Sequence, residues 1–263
     1  MNAYQTIELE FREDGVATLW LARASKNNAF NALMITELLQ AFEAVAAAPD
    51  VRFMLLRGRG KHFSAGADLE WMRDCAALDY NANLNDAREL AQVMASLAQL
   101  KVPTLAVVQG AAFGGALGLI SCCDMAIGAQ DATFCLSEVR IGLIPAVISP
   151  YVVQAMGARA ARRFALTAER FDGEQARELG LLAECYPAAE LEDELTQWLE
   201  RLLQNSPQAM RATKALLQEV KQGEMTTALR RYTEGAIARI RVSPEGQEGL
   251  NAFLEKRDPH WLG

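Results

Sequence analysis

From Val102 to Cys123 the chain carries no formal charge, and an uncharged run of that length must either cross a membrane or lie in a protein core. Pro103, Gln109, Gly110, Gly114, Gly115 and Gly118 interrupt it. Those breakers are out of place in a spanning helix. They suit a short buried strand, a turn and the opening of a second helix. The run is therefore assigned to the interior of an α/β domain, and no membrane span is expected.

The flanking sequence follows the same grammar. Tyr4 to Phe11 alternates as a half-buried strand, Asp14-Gly15 marks a hairpin turn, and Val16 to Leu21 returns. Ala32 to Ala47 has an apolar stripe at helical spacing, and Val51 to Leu56 reads as a buried strand ended by Gly58-Arg59-Gly60. A helix is expected over Asn83–Leu100 with Asn85 or Asp86 near its start, then a strand over Val102–Val108. A glycine loop at 110–115 leads to a helix reaching Cys122, and short strands follow at Met125–Gly128 and Thr133–Cys135. After Pro145 the pattern turns helical: Ser149–Leu166, Gly173–Leu179, Ala188–Asn205, Pro207–Lys221, Met225–Arg241 and Glu245–Lys256, with Pro187, Pro207 and Pro244 at helix starts. Successive strand, turn and helix units predict an α/β fold. The expected division is a core over 1–190 and a helical region over 191–263.

Composition narrows the chemistry. With 51% hydrophobic and 22% charged residues, the 263-residue chain reads as soluble and globular. A net charge of −7 argues against nucleic acid or an anionic membrane as partner. The two histidines, His62 and His260, stand far apart, so no metal site is expected. Cys75, Cys122, Cys123, Cys135 and Cys185 form no C-x-x-C pair and read as reduced, mostly buried thiols. The opening MNAYQTIELE lacks a basic and then apolar signal, so a cytoplasmic location is expected.

Two loops carry the strongest chemical signal. Ser64-Ala65-Gly66-Ala67-Asp68 and Gly110-Ala111-Ala112-Phe113-Gly114-Gly115-Ala116 each follow a strand. Small residues let a ligand approach the backbone, and two main-chain amides aimed at one point make an oxyanion hole. The other reading is that these glycines serve tight turns and helix packing alone. Glu138 sits in the mostly apolar Cys135-Leu136-Ser137-Glu138-Val139-Arg140-Ile141-Gly142. It is either a desolvated acid/base or half of an ion pair with Arg140 or another base. Asp68 and Asp124 read as loop and cap residues, Cys122-Cys123 as core, and Arg159, Arg162 and Arg163 as a solvated helix face.

Together these segments resemble the enoyl-CoA hydratase/isomerase (crotonase) superfamily. The likeness rests on Ser64-Ala65-Gly66-Ala67-Asp68, the glycine loop ahead of Cys123-Asp124, and Ser137-Glu138-Val139 before Gly142-Leu143-Ile144-Pro145. It runs from Arg23-x-x-x-Asn27-Asn28-Ala29-Phe30 to Ala252-Phe253-Leu254-Glu255-Lys256-Arg257. The resemblance implies a spiral of ββα units with a C-terminal helical trimerisation region, in trimers or hexamers. It also implies an acyl-CoA substrate, with coenzyme A entering as part of that substrate and no separate cofactor. By the same resemblance Ala67 and Gly115 donate N–H groups to the thioester oxygen. Lys26, Ala29, Ala65, Asp68 and Leu69 wrap the coenzyme, and Gly114 and Gly118 lie on the substrate side of the glycine loop. Phe253 and Lys256 reach a neighbouring subunit's coenzyme A.

One departure matters. Typical hydratases of the family pair two glutamates on the reacting water; Glu138 matches the second position, and Gly118 stands at the first. Single-glutamate isomerases share that pattern. Ala146-Val147-Ile148-Ser149 also replaces a glycine-rich turn and alters the acyl wall. The narrower similarity, over Phe113–Leu119, Ser121–Gly128 and Phe134–Gly142, is to hydratases of 3-methylglutaconyl-CoA and isohexenylglutaconyl-CoA, in leucine and acyclic terpene degradation. On that basis a glycine at 118 leaves room for a branch and spares a distal carboxylate from repulsion, with Arg140, Arg73 and Lys61 as its candidate partners. The expected activity is reversible hydration of a branched 2-enoyl-CoA. The alternatives are a single-glutamate isomerase and a non-catalytic acyl-CoA-binding relative.

Overall fold

The computed structural model describes residues 4–220 and 224–262. Its backbone alternates as the sequence suggests. β1 (Ile7–Phe11) and β2 (Val16–Leu21) form the opening hairpin, followed by α1 (Ala32–Ala47), β3 (Phe53–Gly58), α2 (Leu69–Ala76), α3 (Tyr80–Ala98) and β4 (Thr104–Val108). Next come β5 (Ala111–Phe113), α4 (Gly115–Cys122), β6 (Met125–Ala129), β7 (Thr133–Cys135), α5 (Ser149–Met156), α6 (Ala158–Thr167), α7 (Gly173–Glu178) and β8 (Glu184–Tyr186). Four further helices follow: α8 (Leu191–Leu203), α9 (Pro207–Val220), α10 (Thr227–Val242) and α11 (Pro244–Glu255). The uncharged run is thus β4, β5 and α4. No helix among the described residues is long and apolar enough to cross a membrane.

The main sheet has the order β1-β2-β3-β4-β6-β8. Only β1 runs antiparallel to its neighbour. β4 is buried at every residue, as a parallel strand covered on both faces must be. The Asp124 carboxylate accepts from the Thr104 N–H (2.8 Å) and hydroxyl (3.0 Å), fixing the start of β4 beside β6. Asn31 caps α1 by accepting from the Met34 N–H, and the buried face of that helix supplies Met34, Ile35, Leu38, Phe42 and Val45 to the core.

Several boundaries moved for identifiable reasons. The Glu37 carboxylate accepts from the N–H groups of Gln5 and Thr6, each at 2.8 Å, so the ladder begins only at Ile7. α3 starts at Tyr80 rather than Asn83, because Asp79 accepts from the Ala82 N–H and caps it there. The helix expected over Ser149–Leu166 is two helices, parted at Gly157 with φ +79. The expected end of α9 at Lys221 lies outside the described residues.

The chain forms two compact units, one running up to Leu100 and over Thr104–Glu194, the other Lys101–Pro103 with the chain from Leu195 onward. Within the second unit, buried Lys214 donates from Nζ to the Val102 carbonyl at 3.0 Å. The Glu248 carboxylate accepts from Arg257 and the His260 N–H, and is held at about 2, chiefly by the Arg257 guanidinium. His260 is thus part of a tail clamp. His62, in the first unit, accepts on Nδ1 from the Ala111 N–H at 3.0 Å and pins the start of β5.

Candidate active site

A second, smaller layer of backbone pairing builds the site. β5 pairs with β7 in parallel, and two isolated parallel bridges, Phe30 with Ala67 and Ser64 with Ala112, extend it. The Phe30 N–H donates to Gly66 O (2.7 Å) and the Asp68 N–H to Phe30 O (2.8 Å). In a parallel bridge of this kind the residue between those two partners turns its own N–H to the opposite side. That residue is Ala67. Its neighbours are committed as well, Ala65 N–H to Asn27 O and Gly66 N–H to the Ser64 hydroxyl. The Ala67 N–H has no acceptor among the described residues, and Ala67 is exposed.

Gly115 offers the second donor. Gly114 donates its N–H to Cys135 O (2.9 Å), while the Gly115 N–H, at the first position of α4, has no acceptor among the described residues. Gly114 adopts φ +54 and ψ −120, a conformation that suits glycine. Gly66, at φ +91, brings the first loop so close to β5 that a Cβ there would lie 2.9 Å from Phe113 O. Phe30 touches both donors. Its backbone bridges Ala67, and its ring lies 3.3 Å from where a Cβ on Gly115 would stand.

Glu138 arrives from β7. Cys135 O binds Gly114, and three residues later a 3-10 turn over Glu138–Ile141 begins. One carboxylate oxygen, Oε1, lies 3.3 Å from the Cβ position of Gly114; Oε2 is buried without a hydrogen-bond partner among the described residues. Burial raises the pKa of this carboxyl above its ordinary value. The Arg140 guanidinium donates to Ala168 O at 2.6 Å. Of the two readings of Glu138, the Arg140 ion pair is therefore excluded.

The remaining expected residues separate by what they touch. Ala65, Ala29 and Lys26 lie along adjoining loops: Ala65 donates to Asn27, the Ala29 carbonyl accepts from Arg23 (2.6 Å), and Lys26 pairs loosely with Glu70 (3.6 Å). Leu69 is exposed beside them. Asp68 is otherwise engaged. Buried, it caps α2 through the Glu70 N–H (2.8 Å) and pairs with Arg23 at 2.9 Å. Burial pushes its carboxyl up, but these hydrogen bonds outweigh it and hold the group below the usual carboxylate range. Phe253 and Lys256 belong to the second unit, where Phe253 is exposed and Lys256 ends α11 at φ +55. Lys61 and Arg73 are exposed.

Gly118 requires a correction. The expected room for a substrate branch is not there, because a Cβ on Gly118 would lie 2.3 Å from Ile148 Cγ2 and 3.1 Å from Met94 Cε. The glycine is a packing contact. Phe30, Arg23 and Met94 are the residues that sequence reasoning missed, and the only signal for the first two was the spacing Arg23-x-x-x-Asn27 up to Phe30 in the family pattern; Ile148 was read only as part of the altered segment Ala146-Val147-Ile148-Ser149.

Comparison with known proteins places the chain in a family. The Enoyl-CoA hydratase/isomerase family model matches residues 11–263. The crystal structure of an enoyl-CoA hydratase from Shewanella pealeana superposes with TM-score 0.94 at 50% identity, covering 98% of this chain and 96% of that one. The 2,3-dehydroadipyl-CoA hydratase of Escherichia coli is 28% identical over 253 residues, 96% of this chain and 97% of its own. The crotonyl-CoA hydratase of Syntrophomonas wolfei is 30% identical over 266 residues, 99% of each chain. The chain belongs to the enoyl-CoA hydratase/isomerase family.

Proposed function

We propose that this enzyme adds water reversibly across the 2,3 double bond of a glutaconyl-type 2-enoyl-CoA, giving the 3-hydroxyacyl-CoA; a branch, as in 3-methylglutaconyl-CoA or isohexenylglutaconyl-CoA, is seated elsewhere than at Gly118. The observation that carries this reading is the unpaired, partly buried Glu138 carboxyl beside Gly114, next to the unspent N–H of Gly115. The thioester oxygen accepts from the Ala67 and Gly115 N–H groups. Such donors gain strength as enolate charge develops, each worth about 3–4 kcal/mol. Glu138 holds the water and takes its proton as hydroxide joins C3; it then returns a proton to C2, so one molecule of water is added overall. A single carboxylate performs both transfers when both occur on one face of the alkene. The E. coli relative's name is that of a dicarboxylic ester, which favours a substrate with a distal carboxylate. The reading includes a homo-oligomer, trimer or hexamer, acting in the cytoplasm.

Glu138→Gln tests the chemistry. Turnover of 3-methylglutaconyl-CoA falls by about 100-fold or more while ester affinity stays within a few-fold. Retained hydration in that variant overturns the assignment. The single carboxylate also favours a second reading, an isomerase that moves one proton between two carbons. Mass spectrometry separates the two, since hydration adds the mass of water to a 2-enoyl-CoA and isomerisation of a 3-enoyl-CoA leaves mass unchanged.

A further inference from the structure

The packing at Gly118 has a consequence for substrate choice. Gly114 is the cap of α4 and Gly118 lies four residues further on, inside its first turns, about 6 Å along the helix axis. Glu138 packs against Gly114, and Ile148 packs against Gly118. Ile148 Cγ2 and Cβ would stand 2.3 and 2.9 Å from a Cβ at 118, closer than real side chains approach. Nor can Ile148 readily retreat. Its carbonyl accepts from the N–H groups of Tyr151 (3.1 Å) and Val152 (3.0 Å) at the start of α5, and the residue is 3% exposed. Met94, fully buried on α3, closes the same spot from the third side. Three helices therefore meet at a bare stretch of backbone, and hydrocarbon fills the space that a side chain at 118 would need.

We propose that Ile148 is a specificity-determining residue, the apolar wall against which acyl carbons beyond C3 rest, and that with Gly118 it bars a second carboxylate from the site. The two positions are coupled, since residue 118 can be larger only where residue 148 is smaller. The width of the acyl pocket is then set by a β-branched side chain with few rotamers to choose from. The inference rests on the proposed function only in seating the thioester at Ala67 and Gly115.

Binding of saturated esters tests the wall without any turnover. Affinities of butyryl-CoA and 4-methylpentanoyl-CoA are measured by calorimetry for the wild type, Ile148→Val and Ile148→Ala. Removing side-chain carbons opens space, so the affinity ratio shifts toward the larger ester by about fivefold in Ile148→Ala and about twofold in Ile148→Val. The milder variant carries the test where the alanine form does not fold. An unchanged ratio in a folded variant overturns the proposal. Coupling is read independently from melting temperatures: Gly118→Ala lowers Tm, and Ile148→Ala in the same chain restores part of the loss. Additive losses count against the contact. A wild type that binds both esters but never adds water refutes the hydratase reading and leaves the wall standing.

Discussion

Glu138 and Asp68 are both acids in loops of small or apolar residues, and their surroundings drive them in opposite directions. Burial raises the folded-state pKa of Glu138, so its charged form costs stability. That cost is absent below the unfolded-state pKa, grows as pH rises through the folded-state value, and is full above it. Glu138→Gln is therefore expected to raise Tm by about 2 °C at pH 8, with the gain shrinking towards pH 4. On the proposed role of Glu138 as base, the acid limb of kcat/KM in the wild type is expected above the ordinary carboxylate value, because that base would have to be ionised. Asp68 behaves conversely. Its depressed pKa adds stability that is present above the unfolded-state value and lost as pH falls through the folded-state one. Asp68→Ala removes a cap and strands Arg23, and is expected to cost about 2 kcal/mol in denaturant unfolding. A loss near zero would mean that the Arg23 pair contributes nothing. The apolar letters around Glu138 made its desolvation legible in the sequence. The direction of the Arg140 guanidinium was not, since it follows from the left-handed turn at Ala168, whose carbonyl it binds, and that turn lies far along the chain.

At the scale of elements, strong periodicity gave exact bounds and local polar chemistry decided the rest. α1 occupies Ala32–Ala47 as its stripe predicts, because its buried face and its Asn31 cap agree. Elements escaped notice where they were short. α2 begins at the Asp68 cap and runs for only eight residues without a buried one, so its stripe of Leu69, Met72 and Ala76 is two turns long and easily passed over. β8 has three residues and is recognised only by its pairing with β6. In the small layer that forms the site, β7 was legible as Thr133–Cys135, but the bridges were hidden, because isolated bridges between loops leave no periodic trace. Its central member is Phe30, whose backbone aligns Ala67 and whose ring buttresses Gly115. Phe30→Ala keeps the backbone bridge and removes the buttress. It is expected to lower kcat by about tenfold, with a smaller change in the affinity for coenzyme A, because donor geometry matters most to the developing enolate. Equal losses in kcat and affinity would assign Phe30 to general packing instead.

For the whole molecule, the decisive feature is apolar surface. Val242 (76% exposed), Phe253 (81%) and Leu254 (75%) lie in the second unit. Ile141, Leu143 and Ile144 are exposed together in the first. A folded chain seldom leaves so many large apolar side chains in water, and clusters of them mark association surfaces. The excess of acids over bases, net −7, does not favour an anionic surface or a nucleic acid as the cover. Self-association covers such surface with matching apolar surface, in closed rings when the rotation permits. Light scattering behind gel filtration is expected to give three or six times the chain mass at micromolar concentration. Val242→Lys with Leu254→Glu is expected to lower that mass, since two charges would have to be desolvated wherever those side chains are buried between subunits. The substitutions sit on exposed helix positions and leave Ala67, Gly115 and Glu138 untouched, so circular dichroism should stay unchanged while the assembly dissociates. A wild-type mass of one chain refutes self-association at this concentration, and an unaltered oligomer in the double variant moves the interface to the surface of Ile141, Leu143 and Ile144.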